Sequence, residues 1–229
     1  MGKIYRTPSD LDEAEIRQFY DNFDAPVTEV DCGQFCAQNN PTGKPFCCDI
    51  CHAVPAAYRS EWTCLEKTTR LWHLWTGDEC QGENAERERV IAETPDSMTL
   101  LACLGPGQCE RSLRLLSCRQ FPFFPYVTSD YRFLGLAYEW AFEETCWVIG
   151  HLDQVTETYI RQFVQTYDRL FALFQNEFEN YAEHSAEMRA VFATRGRRIP
   201  ILHRDGGQLL VSSRNERLAR WKGNPSKVF

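Results

Sequence analysis

The sequence predicts an α+β fold, mainly α, in which an irregular cysteine-rich lobe packs on a helical core with a small β-hairpin. Three observations predict it. Apolar residues recur at three- and four-residue steps through the C-terminal third, five cysteines crowd a breaker-rich stretch between Cys32 and Cys51, and Arg204-Asp205-Gly206-Gly207 separates two β-rich runs.

In chain order, Thr7-Pro8-Ser9 reads as a helix start, and Leu11, Ile16, Phe19, Tyr20 and Phe23 form one apolar stripe behind it. The stretch DCGQFCAQNNPTGKPFCCDIC that follows reads as loop, because Gly33, Asn39, Asn40, Pro41, Gly43 and Pro45 interrupt any regular element. Residues 54–75 are aromatic-rich and fit a helix or a short strand pair equally well. Residues 81–97 are heavily charged and read as a solvated helix or surface insertion. The segment FLGLAYEWAFEETCW suggests a strand with Cys146 near its end. Val155, Tyr159, Ile160, Phe163, Val164, Tyr167, Leu170, Phe171, Phe174, Phe178 and Tyr181 predict one long amphipathic helix over roughly 153–182. Ser185 would cap a shorter helix ending at Gly196, IPILH and QLLVS would form the hairpin, and the polar tail after Ser213 would fray. The simplest organisation is a single domain over 1–229, with a cysteine-cluster region at 30–150 and a helical back with its hairpin at 151–229.

The chain has 229 residues with 25 Lys and Arg against 32 Asp and Glu, a net charge of −7. That balance argues against nucleic acid as a partner, since phosphate binding relies on an excess of cations. No apolar run approaches the roughly 18–20 residues of a membrane span, so no membrane partner is expected. The N-terminal segment has no secretion-type apolar stretch, which makes the expected compartment cytoplasmic.

Eleven cysteines are many for such a chain. In a reducing compartment, clustered thiols are better explained by metal or redox chemistry than by disulfides. Adjacent Cys47 and Cys48 suit a disulfide poorly, whereas a metal can collect both from a turn. The candidate metal ligands are Cys32, Cys36, Cys47, Cys48 and Cys51, then Cys103, Cys109 and Cys118, followed by Cys146. A metal held by them would staple the irregular lobe. Cys64 and Cys80, isolated between the clusters, read as small buried hydrophobes. Thiolates serve zinc and iron–sulfur clusters alike. Nine candidates exceed one zinc site, which favours an iron–sulfur cluster of the 4Fe–4S type over Zn2+. Cys48-Asp49-Ile50-Cys51 is the one C-x2-C and offers a thioredoxin-like pair as a further reading. Arg119, beside Cys118, could donate hydrogen bonds to cluster sulfur or form an ordinary ion pair. The aromatic run from Phe121 to Tyr126 would keep water off the metal. His52 and His73 are better read as packing residues than as ligands. The basic stretch 195–204, with Arg214, Arg217, Arg220 and Lys222, reads as a solvated face.

The CC-containing loop and Cys118-Arg119-Gln120-Phe121-Pro122-Phe123-Phe124-Pro125 resemble the YkgJ-type zinc- or iron-chelating cysteine-cluster family, related to the cysteine-rich part of flagellin lysine N-methylases. The resemblance covers roughly residues 30–150. It implies a ligand loop at Cys32, Cys36, Cys47, Cys48 and Cys51, a spaced pair at Cys103 and Cys109, the Cys-Arg-x-Phe-Pro cysteine at Cys118 and a trailing ligand at Cys146. Leu115 stands where the family has proline, and the loop order is looser than C-x2-C-x2-CC.

The expected function is therefore a metal-binding cysteine-cluster protein whose iron–sulfur cluster has a structural or electron-transfer role. A structural zinc protein, or a component of a lysine N-methylase-like modifying enzyme, is the alternative, and a protein partner stays open. A thiol-redox or metal-trafficking protein using Cys48 and Cys51 is the third class. No nucleotide-binding loop, nucleophile elbow or HExxH motif is present.

Overall fold

The computed structural model describes residues 6–80 and 84–221. They divide into two compact units, one made of the described residues up to Asp24 with those of Gly33–Arg119, the other of Ala25–Cys32 with the described residues from Gln120 onward.

In the first unit, α1 (Glu13–Asn22) begins at Asp12, whose carboxylate accepts the Glu15 amide while the Glu15 side chain accepts the Asp12 amide. Leu11, Ile16, Phe19, Tyr20 and Phe23 are all buried, so the predicted stripe is the packing face. Helix α2 (Cys32–Ala37) interrupts the cysteine loop. The ambiguous stretch holds both kinds of element, since β1 (Ala56–Tyr58), α3 (Arg59–Thr68) and β2 (Trp72–Leu74) all fall within it. Helix α4 (Asn84–Glu93) occupies the charged stretch, of which residues 81–83 lie outside the described ones. Strand β3 (Met98–Cys103) lies between β1 and β2 in an antiparallel sheet, with Ala56 opposite Leu100 and Trp72 opposite Cys103. Helix α5 (Leu116–Gln120) runs to the unit boundary.

The second unit is built on a five-stranded antiparallel sheet. Its order is β4 (Phe123–Val127), β5 (Phe133–Tyr138), β6 (Arg198–His203), β7 (Gln208–Ser212) and β8 (Leu218–Arg220). Gly135 has φ +142°, and a Cβ there would sit 2.2 Å from the Leu202 carbonyl oxygen, so glycine is what lets β5 approach β6. The predicted hairpin is β6–β7, and its turn uses Gly206 and Gly207 at positive φ.

Several expectations are corrected. The chain is not a mainly helical core carrying one small hairpin, because the described residues form two antiparallel sheets of three and five strands. The cysteine-rich lobe is not an irregular segment stapled by a metal. Among the described residues no group of three or more His, Cys, Asp or Glu side chains is placed to hold an ion. Instead the lobe carries the three-stranded sheet, a Cys51–Cys80 disulfide and a buried carboxylate, Asp49. The long helix is two helices, α6 (Glu157–Leu173) and α7 (Gln175–Thr194), separated by Phe174 in an extended conformation. Residues 14 apart in one helix would stand about 21 Å apart along its axis. The Tyr167 and Tyr181 rings meet at 5.3 Å because the chain folds back after Phe174. Ser185 caps nothing: it lies inside α7, fully buried, and its hydroxyl accepts the Val127 amide. The strand before Cys146 stops at Tyr138 and gives way to short 3-10 turns. The tail does not simply fray, since β8 pairs with β7; residues 222–229, including Lys222, lie outside the described ones.

Among the described residues no helix is long and apolar enough to cross a membrane.

Candidate functional site

The cysteines of the first unit are positioned by three local devices. The first is Asp49, which accepts hydrogen bonds from Asn40 Nδ2 at 2.9 Å, Thr42 Oγ1 at 2.7 Å and the Cys51 amide at 3.2 Å. Burial pushes its pKa up, but these donors outweigh burial and leave it below the ordinary carboxylate range. The carboxylate thus stands in for the backbone ladder that this breaker-rich stretch cannot form, and it fixes the turn carrying Cys47 and Cys48. Their sulfurs lie 3.9 Å apart.

The second device is the end of β3. Cys103 is its last residue, opposite Trp72, whose indole nitrogen donates to the Leu113 carbonyl at 2.8 Å. Gly105, at φ +94°, then turns the chain into a 3-10 turn that delivers Cys109.

The third device is a buried polar knot that fixes α5 and with it Cys118. Glu61, fully buried, accepts the Tyr20 hydroxyl at 2.7 Å, the Leu116 amide at 2.8 Å and the Tyr58 amide at 3.2 Å. Burial, only partly offset by these donors, raises its pKa. Arg119, 5% exposed, donates to the carbonyls of Arg114, Tyr20, Phe23, Arg111 and Ser112 and to the Asp24 carboxylate. Its guanidinium also lies 4.5 Å from the Tyr20 ring centre.

These devices bring Cys48, Cys103, Cys109 and Cys118 into one neighbourhood. Desolvation first, then the charges of Cys48, Cys103, Glu61 and Cys109, hold the Cys118 thiol well above its ordinary pKa. Cys103 is raised by desolvation and by Cys48 and Cys109, with the Gly105 amide opposing. Arg114 faces the same group, and its Nε donates to Cys109 Sγ at 3.2 Å. Like charges so coupled disfavour several thiolates at once, and among the described residues no group of three or more His, Cys, Asp or Glu side chains is placed to hold an ion.

The other predicted ligands are placed as follows. Cys51 forms the disulfide with Cys80, so the Cys48–Cys51 pair is not made and Cys80 is no bystander. Cys36 is buried in α2 and donates to the Gly33 carbonyl at 3.6 Å. Cys32 and Cys146 belong to the second unit. Cys64 is half-buried on α3. His52 packs edge-on against Phe46, as a packing residue should. Of the two readings of Arg119, the ion pair is the one seen, with the Asp24 carboxylate at 3.1 Å, and the guanidinium also donates to five carbonyls. Within the second unit, Phe121, Phe123 and Phe124 of the aromatic run pack on Phe142, Tyr159 and His184. In the basic stretch, Arg195 and Arg197 pair with Glu143 and Arg204 with Asp168.

Sequence reasoning missed Asp49, Glu61 and Arg114. Arg114 alone left a signal, since it sits five residues after Cys109 and four before Cys118.

No protein-family model matches the chain, and neither a curated protein nor a solved structure matches it.

Proposed function

We propose that the protein binds a soft metal centre through the thiolates of Cys48, Cys103, Cys109 and Cys118. The observation that carries this reading is that Cys48, Cys103 and Cys109 all act on the Cys118 thiol within a single unit, with Arg114 Nε donating to Cys109 Sγ. Four sulfur donors are what a closed zinc site and a cubane iron–sulfur cluster each require, so the donor set fits both. The resemblance of Cys118-Arg119-Gln120-Phe121-Pro122 to zinc- and iron-chelating cysteine-cluster proteins supports the same chemistry. With four thiols in the group rather than nine, excess of ligands no longer favours iron–sulfur over zinc. The proposed role is electron transfer where the occupant is a cluster and a closed thiolate site where it is Zn2+.

The test is anaerobic purification followed by an absorption spectrum with metal and acid-labile sulfide analysis on one sample. A broad band near roughly 400 nm with stoichiometric sulfide identifies a cluster, and colourless protein with stoichiometric zinc identifies the ion. Cys103→Ser and Cys118→Ser are expected to lose the metal, while Cys64→Ser keeps it. Metal-free wild type after reconstitution with both, or full retention by the two serine variants, defeats the proposal.

A further inference from the structure

The first unit also contains a cavity of about 320 Å3, lined by α3 and by the chain that leads into α1. Helix spacing makes one wall, because Arg59, Ser60, Thr63, Cys64 and Lys67 recur at three- and four-residue steps on one face of α3. The other wall is the chain from Ser9 to Glu13, which brings the side chains of Asp12 and Glu13 to the cavity. The Ser60 hydroxyl donates to the Pro8 carbonyl at 2.8 Å and ties the two walls together.

Opposite charges line these walls without pairing across the gap. Glu13 is bonded to Arg17 on its own helix, and Asp12 accepts the Glu15 amide. Among the described residues neither Arg59 nor Lys67 has a carboxylate within ion-pair distance. Both walls nevertheless act on one thiol between them. Burial raises the Cys64 pKa, the Glu13 charge raises it further and the Lys67 charge lowers it.

We infer that this cavity binds a small zwitterion, with its carboxylate on Arg59 and Lys67 and its ammonium on Asp12 and Glu13. A molecule that carries both charges satisfies two walls that are held too far apart to satisfy each other. The volume suits a ligand of that size, since small-molecule pockets begin at about 300 Å3. The planar fork of Arg59 takes a carboxylate in bidentate fashion, and Lys67 adds a second positive charge. The site shares no residue with the thiol group, so it stands or falls apart from the metal-binding reading.

The experiment uses the full-length chain and three probes: glycylglycine, N-acetylglycylglycine, which lacks the ammonium, and glycylglycinamide, which lacks the carboxylate. Nuclear magnetic resonance titration measures binding, and iodoacetamide alkylation at Cys64, resolved by peptide mapping, locates it. Glycylglycine should bind saturably below about 10 mM, an ordinary affinity for a ligand of its size, and should slow Cys64 alkylation. Each blocked probe should bind about 10-fold more weakly, the cost of one charge-assisted contact. The double variant Arg59→Gln, Lys67→Gln should erase the preference for glycylglycine over glycylglycinamide, and Glu13→Gln should narrow the preference over N-acetylglycylglycine. A merely structural effect would weaken all three probes alike. Arg59 and Lys67 are exposed, so an unchanged melt is expected; should the double variant not fold, the three-probe comparison on wild type decides. No saturation by glycylglycine, or equal affinity for all three probes, overturns the inference. Binding that leaves Cys64 alkylation unchanged also overturns it, because the ligand then sits elsewhere.

Discussion

At the scale of single residues, the first unit depends on charged groups taken out of water and fully partnered. Arg119 satisfies five carbonyls and one carboxylate, so its truncation leaves acceptors that no water replaces. Arg119→Ala should cost about 3–5 kcal/mol, measured by urea denaturation, and it should displace α5 and Cys118 with it. Asp49 makes a pH prediction with a definite sign. Its folded pKa is depressed, so its contribution is present above the ordinary carboxylate pKa and is lost as pH falls through the lower folded value. Asp49→Asn should remove that acid-side dependence, which a pH series of melting curves would reveal; an unchanged acid limb would show that the Asn40–Thr42–Cys51 contacts are not what hold the turn. Asp49 stands between two cysteines and looked like part of a C-x2-C, and its role was not legible. For Arg119 the ion-pair alternative was legible and is met by Asp24. Its carbonyl partners were not, because sequence shows adjacency along the chain and not which carbonyls lie within reach.

At the scale of elements, the departures from expectation share one cause. The apolar steps from Val155 to Tyr181 continue unbroken through Phe174, with no glycine or proline to stop a helix. The chain nonetheless turns there, because Phe174 is fully buried and the reversal sets Phe171 against Phe178 at 4.8 Å and Tyr167 against Tyr181 at 5.3 Å. Ring burial outweighs the few hydrogen bonds lost at one break. Ser185 shows the same override in polar form. The register shift at Tyr126 and Val127 leaves an amide outside the regular ladder, and the Ser185 hydroxyl accepts it at 2.9 Å while donating to the Tyr181 carbonyl. Ser185→Ala should cost about 1–3 kcal/mol by chemical denaturation, the penalty of an orphaned buried amide; Ser185→Thr, if the extra methyl fits, should recover part. Beside it, His184 is held above its ordinary pKa: burial lowers it, but the Glu139 and Glu187 carboxylates outweigh that. Its stabilising contribution is therefore complete below the ordinary histidine value and lost as pH rises through the folded one. Nuclear magnetic resonance titration of the His184 ring, with Glu139→Gln lowering its midpoint, checks this.

At the scale of the whole molecule, the question is what a bound metal would do for the fold. The cysteine lobe holds a three-stranded sheet, the Asp49 turn and the Cys51–Cys80 disulfide without calling on a metal to link them. Chelation of a loaded sample should therefore leave the far-ultraviolet circular dichroism and a cooperative melt in place, with a lower midpoint reflecting only the lost binding energy. Collapse of the secondary structure on chelation would mean that folding and metal binding are one event after all. Cys51→Ser should cost about 2–4 kcal/mol in the metal-free protein, through the chain freedom returned to the unfolded state.

The sequence by itself determined the apolar faces of the helices, the β6–β7 hairpin and the concentration of thiols before residue 120, since each is written in local periodicity, turn chemistry or composition. Only the tertiary structure decided that the strands join two sheets, that one helix is a pair, and which four thiols share a neighbourhood. It also decided that Cys51 reaches Cys80, that Arg114 donates to the Cys109 sulfur and that Arg119 pairs with Asp24. The physical reason is common to all of these: burial and charge compensation act between groups far apart in the chain, and their balance is set by which surfaces the fold removes from water.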